Sequence, residues 1–290
     1  MLDSKDVRRR LAFIRHLHRV AVQQSEQPEP LGAASVLTFH DAAEVFLHLA
    51  FEHLDVGGAR PQFMEYWDRI ATAKNPVQLS GKVSMGRLNQ ARVSLKHSGL
   101  LPSPADVEGF RATVTGFFED NTPTVFDVAF DRISMVDLVM SAGVRDCLEL
   151  AEAAIASGDT IGASRQLAIA FDKLLHEYDV MRDLIKHRPY APNPSTSRFV
   201  TQSDDRRTRE GEEERRWAAD AVESLASAVR VLALGLDYRR FRRFRATTPQ
   251  VDRRINGEYV TSYRASRLLA KEDCEEALAF VVDCALRVQQ

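Results

Sequence analysis

The chain is poor in the features that would announce a common enzyme or a membrane protein. Three cysteines, Cys147, Cys274 and Cys284, form no Cys-x-x-Cys pair. An odd number in a chain this long excludes a disulfide-stapled scaffold and points to a reducing cytosol, so a cytoplasmic protein is expected. No apolar run approaches the roughly 20 residues a membrane-spanning helix needs, and Met1 to Arg10 is charged where a signal peptide is apolar. No membrane partner is expected. There is no Gly-x-x-x-x-Gly-Lys phosphate loop and no Gly-x-Ser-x-Gly elbow, which excludes the common nucleotide hydrolases and serine hydrolases. An excess of charge of either sign is missing too. The net charge is −2, so affinity for nucleic acid has to come from local patches.

What is present is helical. At 290 residues, 44% hydrophobic and 28% charged, the chain can bury a core in one or two domains. Apolar residues recur at helical spacing over Ser4 to Gln24 and Ser35 to Leu54, then over Gln62 to Ala73 and Gly86 to His97. Further helices are expected from Pro104 to Pro123, with Asp106 as N-cap, over Met135 to Gly143 and Val144 to Ala156, and over Ile161 to His187. Ser35 to Leu54 is the most apolar and should sit at the centre of the core. Arg188 to Gly211, rich in Pro, Ser and Thr, reads as a linker. Beyond it a long helix is expected from Glu212 to Arg245, and another from Lys271 to Val288. Asn256-Gly257 between Val251–Ile255 and Glu258–Tyr263 is a hairpin signal. The expected fold is therefore all-α, a helical bundle with one small β-hairpin near residues 251–263. Its expected organisation is a domain over 1–187, the linker 188–211 and a helical C-terminal region over 212–290.

The chemistry gathers at the end of one helix. Arg92 and Lys96 are one helical turn apart and share a face. His97 follows Arg92 by five residues, about 140° further round an ideal helix. Ser98-Gly99 breaks the helix at once. A guanidinium binds and neutralises phosphate, and an imidazole moves protons near neutral pH. Together they are a kit for cutting a phosphodiester. A second pair, Arg182 and His187, has the same spacing at the end of another expected helix.

An arginine, four to six residues and then a histidine, late in a helix of a small all-α domain, resembles the motif of the HEPN-superfamily ribonucleases. Arg92-Val-Ser-Leu-Lys-His97 fits that spacing, and so does Arg182-Asp-Leu-Ile-Lys-His187. Val93 departs from the polar residue that often follows the arginine in that family. The resemblance implies a metal-independent endoribonuclease, acting on RNA with no cofactor, whose site forms where two subunits of a homodimer pair. It also implies a setting in toxin systems or anti-phage defence. Arg92 and His97 are then the catalytic pair with Lys96 beside them, Arg182 and His187 are the secondary candidate, and Asp41 or Glu44 on the preceding helix is the orienting acid. Asp183 and Glu177 lie near Arg182, whereas no acid lies between Lys82 and Pro104, which favours the first pair.

Two other groups compete for attention. His40, Glu44 and His48 lie four apart on one helical face and could hold a divalent metal. With no second cluster to complete a coordination shell, they read as a polar seam on a buried helix, and no metal is expected. Tyr238 to Arg245 interleaves aromatics with Arg239, Arg240, Arg242, Arg243 and Arg245, and Arg253 and Arg254 on the hairpin extend the strip. This strip could grip nucleic acid, or Tyr238, Phe241 and Phe244 could be a core stripe whose arginines face water. The rival to a ribonuclease is a non-catalytic helical module that binds a protein partner or nucleic acid.

Overall fold

The computed structural model describes residues 4–181, 217–218, 221–222, 225, 227–254, 257–262 and 269–289. It is all-α with one hairpin, as the periodicity predicts. The chain divides into two compact units, Met1–Leu138 and Val139–Gln290. This division falls fifty residues before the Arg188 to Gly211 segment, which itself lies outside the described residues.

In the first unit, helices α1 (Ser4–Ser25), α2 (Ser35–His53), α3 (Tyr66–Ala71), α4 (Lys82–Ser98) and α5 (Pro104–Phe126) surround one core. α2 packs against each of the other four. Eleven of its residues are buried, among them Phe39, Ala43, Phe46, Leu47 and Ala50, so it needs apolar partners nearly all round. The centre is aromatic. Phe46 meets Phe117 edge-on at 5.3 Å between ring centroids and Phe118 at 5.5 Å, while Phe118 stacks on Phe130 at 4.7 Å. These separations are those that ring quadrupoles favour.

α4 begins four residues before its expected start. Gly81, at φ 80°, turns the chain into it, and Gly99, at φ 65°, closes it in the left-handed conformation that glycine adopts without strain. α5 departs from expectation at both ends. Its N-cap is Ser103 rather than Asp106: the Ser103 hydroxyl accepts from the Asp106 amide at 3.2 Å, and Asp106 accepts from the Ser103 amide at 3.1 Å. That is a reciprocal capping box with Pro104 in the first turn. Pro123 does not end α5, which continues to Phe126 and closes on Asp127 at φ 61°. Just before Pro123, buried Asn121 donates to the Phe117 carbonyl at 2.7 Å and accepts from the Ser80 amide at 2.8 Å. It ties α5 to the segment leading into α4.

The second unit packs α6 (Ala142–Ser157) on α7 (Thr160–Met181). It adds α8 (Tyr238–Thr247) and α9 (Lys271–Val288), the latter meeting α6, α7 and α8. The helix expected over Met135 to Gly143 is not there. A single 3-10 turn covers Val136–Leu138, and Ser141, whose hydroxyl accepts from the Val144 amide, starts α6 instead. The long helix expected over Glu212 to Arg245 is broken. Residues 227–233 are helical, Gly235 turns at φ 64°, and Asp237 caps α8 by accepting from the amides of Arg239 and Arg240. Phe171, Phe244 and Phe280 pack at 5.0–5.6 Å. The hairpin is as expected: β1 (Gln250–Arg253) pairs antiparallel with β2 (Tyr259–Ser262), with Val251 opposite Thr261. All three cysteines are buried and unbridged. Among the described residues no helix is long and apolar enough to cross a membrane.

Candidate functional site

α2 carries a line of polar residues along one face. His40, Glu44, His48 and Glu52 recur every four residues, so all four lie on one face. Cations stand around this line. The Arg10 guanidinium from α1 donates to Glu52, and Arg60 lies against the His48 ring. His48 Nε2 is 2.9 Å from Glu52 Oε1. The hydrogen bond from Arg10 holds the Glu52 carboxyl below the usual carboxylate range. In the lower half of the line His48 Nε2 and Glu52 are thus engaged by each other and by the two arginines.

The upper half is built differently. His40 is 2% exposed, and its ring lies on Phe63 with 4.2 Å between centroids. Its Nε2 is 3.1 Å from Oδ1 of Asn89, which α4 presents one turn before Arg92. Its Nδ1 has no hydrogen-bond partner. It faces Glu44 Oε2 at 3.8 Å and Asp41 Oδ1 at 3.9 Å. Burial pushes the His40 pKa down; Glu44 opposes that, and the Arg92 charge reinforces it. The imidazole is therefore neutral near pH 7.

Arg92 is half-buried on α4, close enough to His40 to act on its charge. Among the described residues it forms no hydrogen bond or ion pair, and neither does Lys96 or His97. Lys96 and His97 are exposed in the last turn of α4, where cations are favoured by the helix dipole. The helix sets His97 about 140° from Arg92, so Arg92 is half-buried beside His40 while His97 looks into solvent. Asp41 and Glu44, expected as orienting acids for the Arg92–His97 pair, approach His40 and form no ion pair with either residue. Arg182 and His187 lie outside the described residues, as does the side chain of Arg253.

In the basic strip of the second unit three arginines have acidic partners. Arg240 pairs with Asp283 at 2.6 Å and Arg243 with Glu276 at 2.8 Å, both on α9, and Arg254 pairs with Glu258 at 3.1 Å. Phe241 and Phe244 are buried and Tyr238 is exposed. The strip is a helix docked on α9 by its aromatics. Arg239, Arg242 and Arg245 are exposed on it.

Sequence reasoning missed Asn89, Arg60 and Arg10. Asn89 carried a signal: it precedes Arg92 by three residues and so shares its side of α4. Arg10 and Arg60 reach α2 only through the fold. Comparisons of the chain with family profiles, with curated proteins and with solved structures give no match.

Proposed function

We propose that the first unit is a metal-independent endoribonuclease of the kind its Arg92–His97 spacing resembles, the HEPN ribonucleases. The observation that carries this reading is the state of Arg92. A half-buried guanidinium with no carboxylate partner among the described residues, beside a neutral histidine, is charge left unanswered there, and a phosphate answers it with paired N–H···O bonds. Lys96 lies about 40° round the helix from Arg92 and adds a second cation. His97, exposed and with no ion-pair partner among the described residues, is the general acid or base of this reading. In the reaction, an imidazole takes the 2′-hydroxyl proton and the 2′-oxygen attacks phosphorus. The 5′-oxygen then leaves with a proton, and a cyclic phosphate remains.

Because one helix points Arg92 and His97 in different directions, one subunit supplies an incomplete site. A homodimer that sets two copies of α4 across one groove completes it. Leu100 and Leu101, exposed directly after α4, give such an interface an apolar part. That same exposed pair favours the second reading, in which α4 docks a protein partner and no RNA is cut. The test is RNA cleavage by the purified protein in EDTA. Cleavage is expected with the native chain and is lost in His97→Ala while the helical circular dichroism is kept. A requirement for a divalent ion, or activity that survives His97→Ala, refutes the proposal.

A further inference from the structure

Among the described residues several buried side-chain atoms have no hydrogen-bond partner, and the nitrogens among them include His40 Nδ1, His48 Nδ1 and His53 Nδ1. Each calls for a physical account. His40 stands apart because two carboxylates flank its bare nitrogen within 4 Å. The Asn89 oxygen accepts from Nε2–H, so the ring proton sits on Nε2 and Nδ1 carries its lone pair. A lone pair directed at two carboxylates is repulsive until something positive lies between them. A histidine oriented through its far nitrogen by an amide oxygen is also how metal-binding imidazoles are usually held. From this geometry we infer that His40 Nδ1, Asp41 and Glu44 bind a divalent transition-metal cation of the zinc or manganese type.

The dimensions fit a small adjustment. One ligand atom from each of the three residues lies within 4.8 Å of the others. Bonds of about 2.1 Å require ligand separations of about 3.0 Å at an octahedral edge or about 3.4 Å in a tetrahedron. The imidazole is fixed by Phe63 and Asn89. The carboxylates are not fixed: their side chains are 62% and 49% exposed and can close the gap. One nitrogen and two carboxylate oxygens suit zinc or manganese better than magnesium or calcium, which take all-oxygen shells. Positions not filled by protein are left to water. The ligand set differs from the His40–Glu44–His48 reading of the sequence, because His48 Nε2 is engaged by Glu52 and Arg60. Arg92 acts against positive charge at His40, so it also opposes the cation. The site does not depend on RNA cleavage, and binding is read directly.

The test is isothermal titration of the full chain with zinc chloride, repeated with manganese chloride. One site is expected. Asp41→Asn and Glu44→Gln, both on exposed side chains that leave the core intact, each weaken it by about tenfold or more. Asn89→Ala weakens it by about 10- to 100-fold, the range for loss of a group that orients a ligating histidine. Arg92→Ala tightens it. Zinc also raises the melting temperature of the native chain and not that of Glu44→Gln. No binding up to millimolar metal, or binding that Asp41→Asn and Glu44→Gln leave unchanged, overturns the inference, the second outcome marking adventitious binding at other histidines.

Discussion

His18 should make this protein acid-labile well above the range in which carboxylates titrate. Its ring lies among Phe39, Phe118 and Phe130, with centroids 5.4–6.1 Å away. The Thr115 hydroxyl donates to the Arg111 carbonyl, so its oxygen is left to accept from His18 Nε2–H at 2.9 Å. Those contacts suit a neutral imidazole. Burial, with Arg15 one turn away, lowers the pKa to about 4 from the ordinary 6.5. Between those values the unfolded chain holds a proton that the folded chain does not. The stability that His18 contributes is therefore complete above pH 6.5 and is lost as the pH falls toward 4. At 1.36 kcal/mol per pKa unit the full shift amounts to about 3 kcal/mol, and partial access to water trims this to about 2 kcal/mol. Set against a stability of about 5–15 kcal/mol for an ordinary domain, this is a large fraction. The assay is urea unfolding from pH 7.5 to 4.5 of the native chain and of His18→Gln, whose amide can donate to Thr115 without titrating. The variant starts less stable, because it fills less of the aromatic pocket. Over the acid range it then loses about 2 kcal/mol less than the native chain. The other histidines and the carboxylates are common to both proteins and cancel. Parallel pH profiles would refute the reasoning, as would a His18 imidazole that titrates near 6.5 by NMR.

Two further substitutions probe the frame that carries the site. Phe46→Ala removes a fully buried ring that touches Phe117, Phe118 and Phe126, and should cost about 3–5 kcal/mol in chemical denaturation; a loss under about 1 kcal/mol would mean that α2 is not the centre of the core. Ser103→Ala removes the α5 cap and should cost about 1 kcal/mol, seen as a lowered melting temperature, whereas an unchanged melting temperature would contradict the capping box.

The elements that read well from sequence are those whose apolar pattern alone decides them. α2, α9 and the Asn-Gly hairpin are such cases. The misreadings share a cause: a local backbone device overrode periodicity. Apolar residues over Met135 to Gly143 suggested a helix, but Ser141 caps the chain there and α6 starts only at Ala142. Leu232 and Leu236 continue a helical stripe across Gly235, yet Gly235 takes a left-handed turn and Asp237 starts a new helix. Pro123 looked like a terminator, but α5 passes through it and runs on to Phe126. At the candidate site, the unpaired charge of Arg92 was legible because no acid is near it in sequence. The direction taken by Asp41 and Glu44 was not. It depends on where α4 sets Asn89 against His40, a relation across 49 residues that no local pattern encodes.

The most direct test of the central claim sets Arg92→Ala beside Arg182→Ala, assayed together for RNA cleavage in EDTA and for melting temperature. Arg92→Ala should lose cleavage with little change in melting temperature, while Arg182→Ala stays active. Cleavage that persists in Arg92→Ala and disappears in Arg182→Ala at unchanged stability would contradict the assignment of the site to α4.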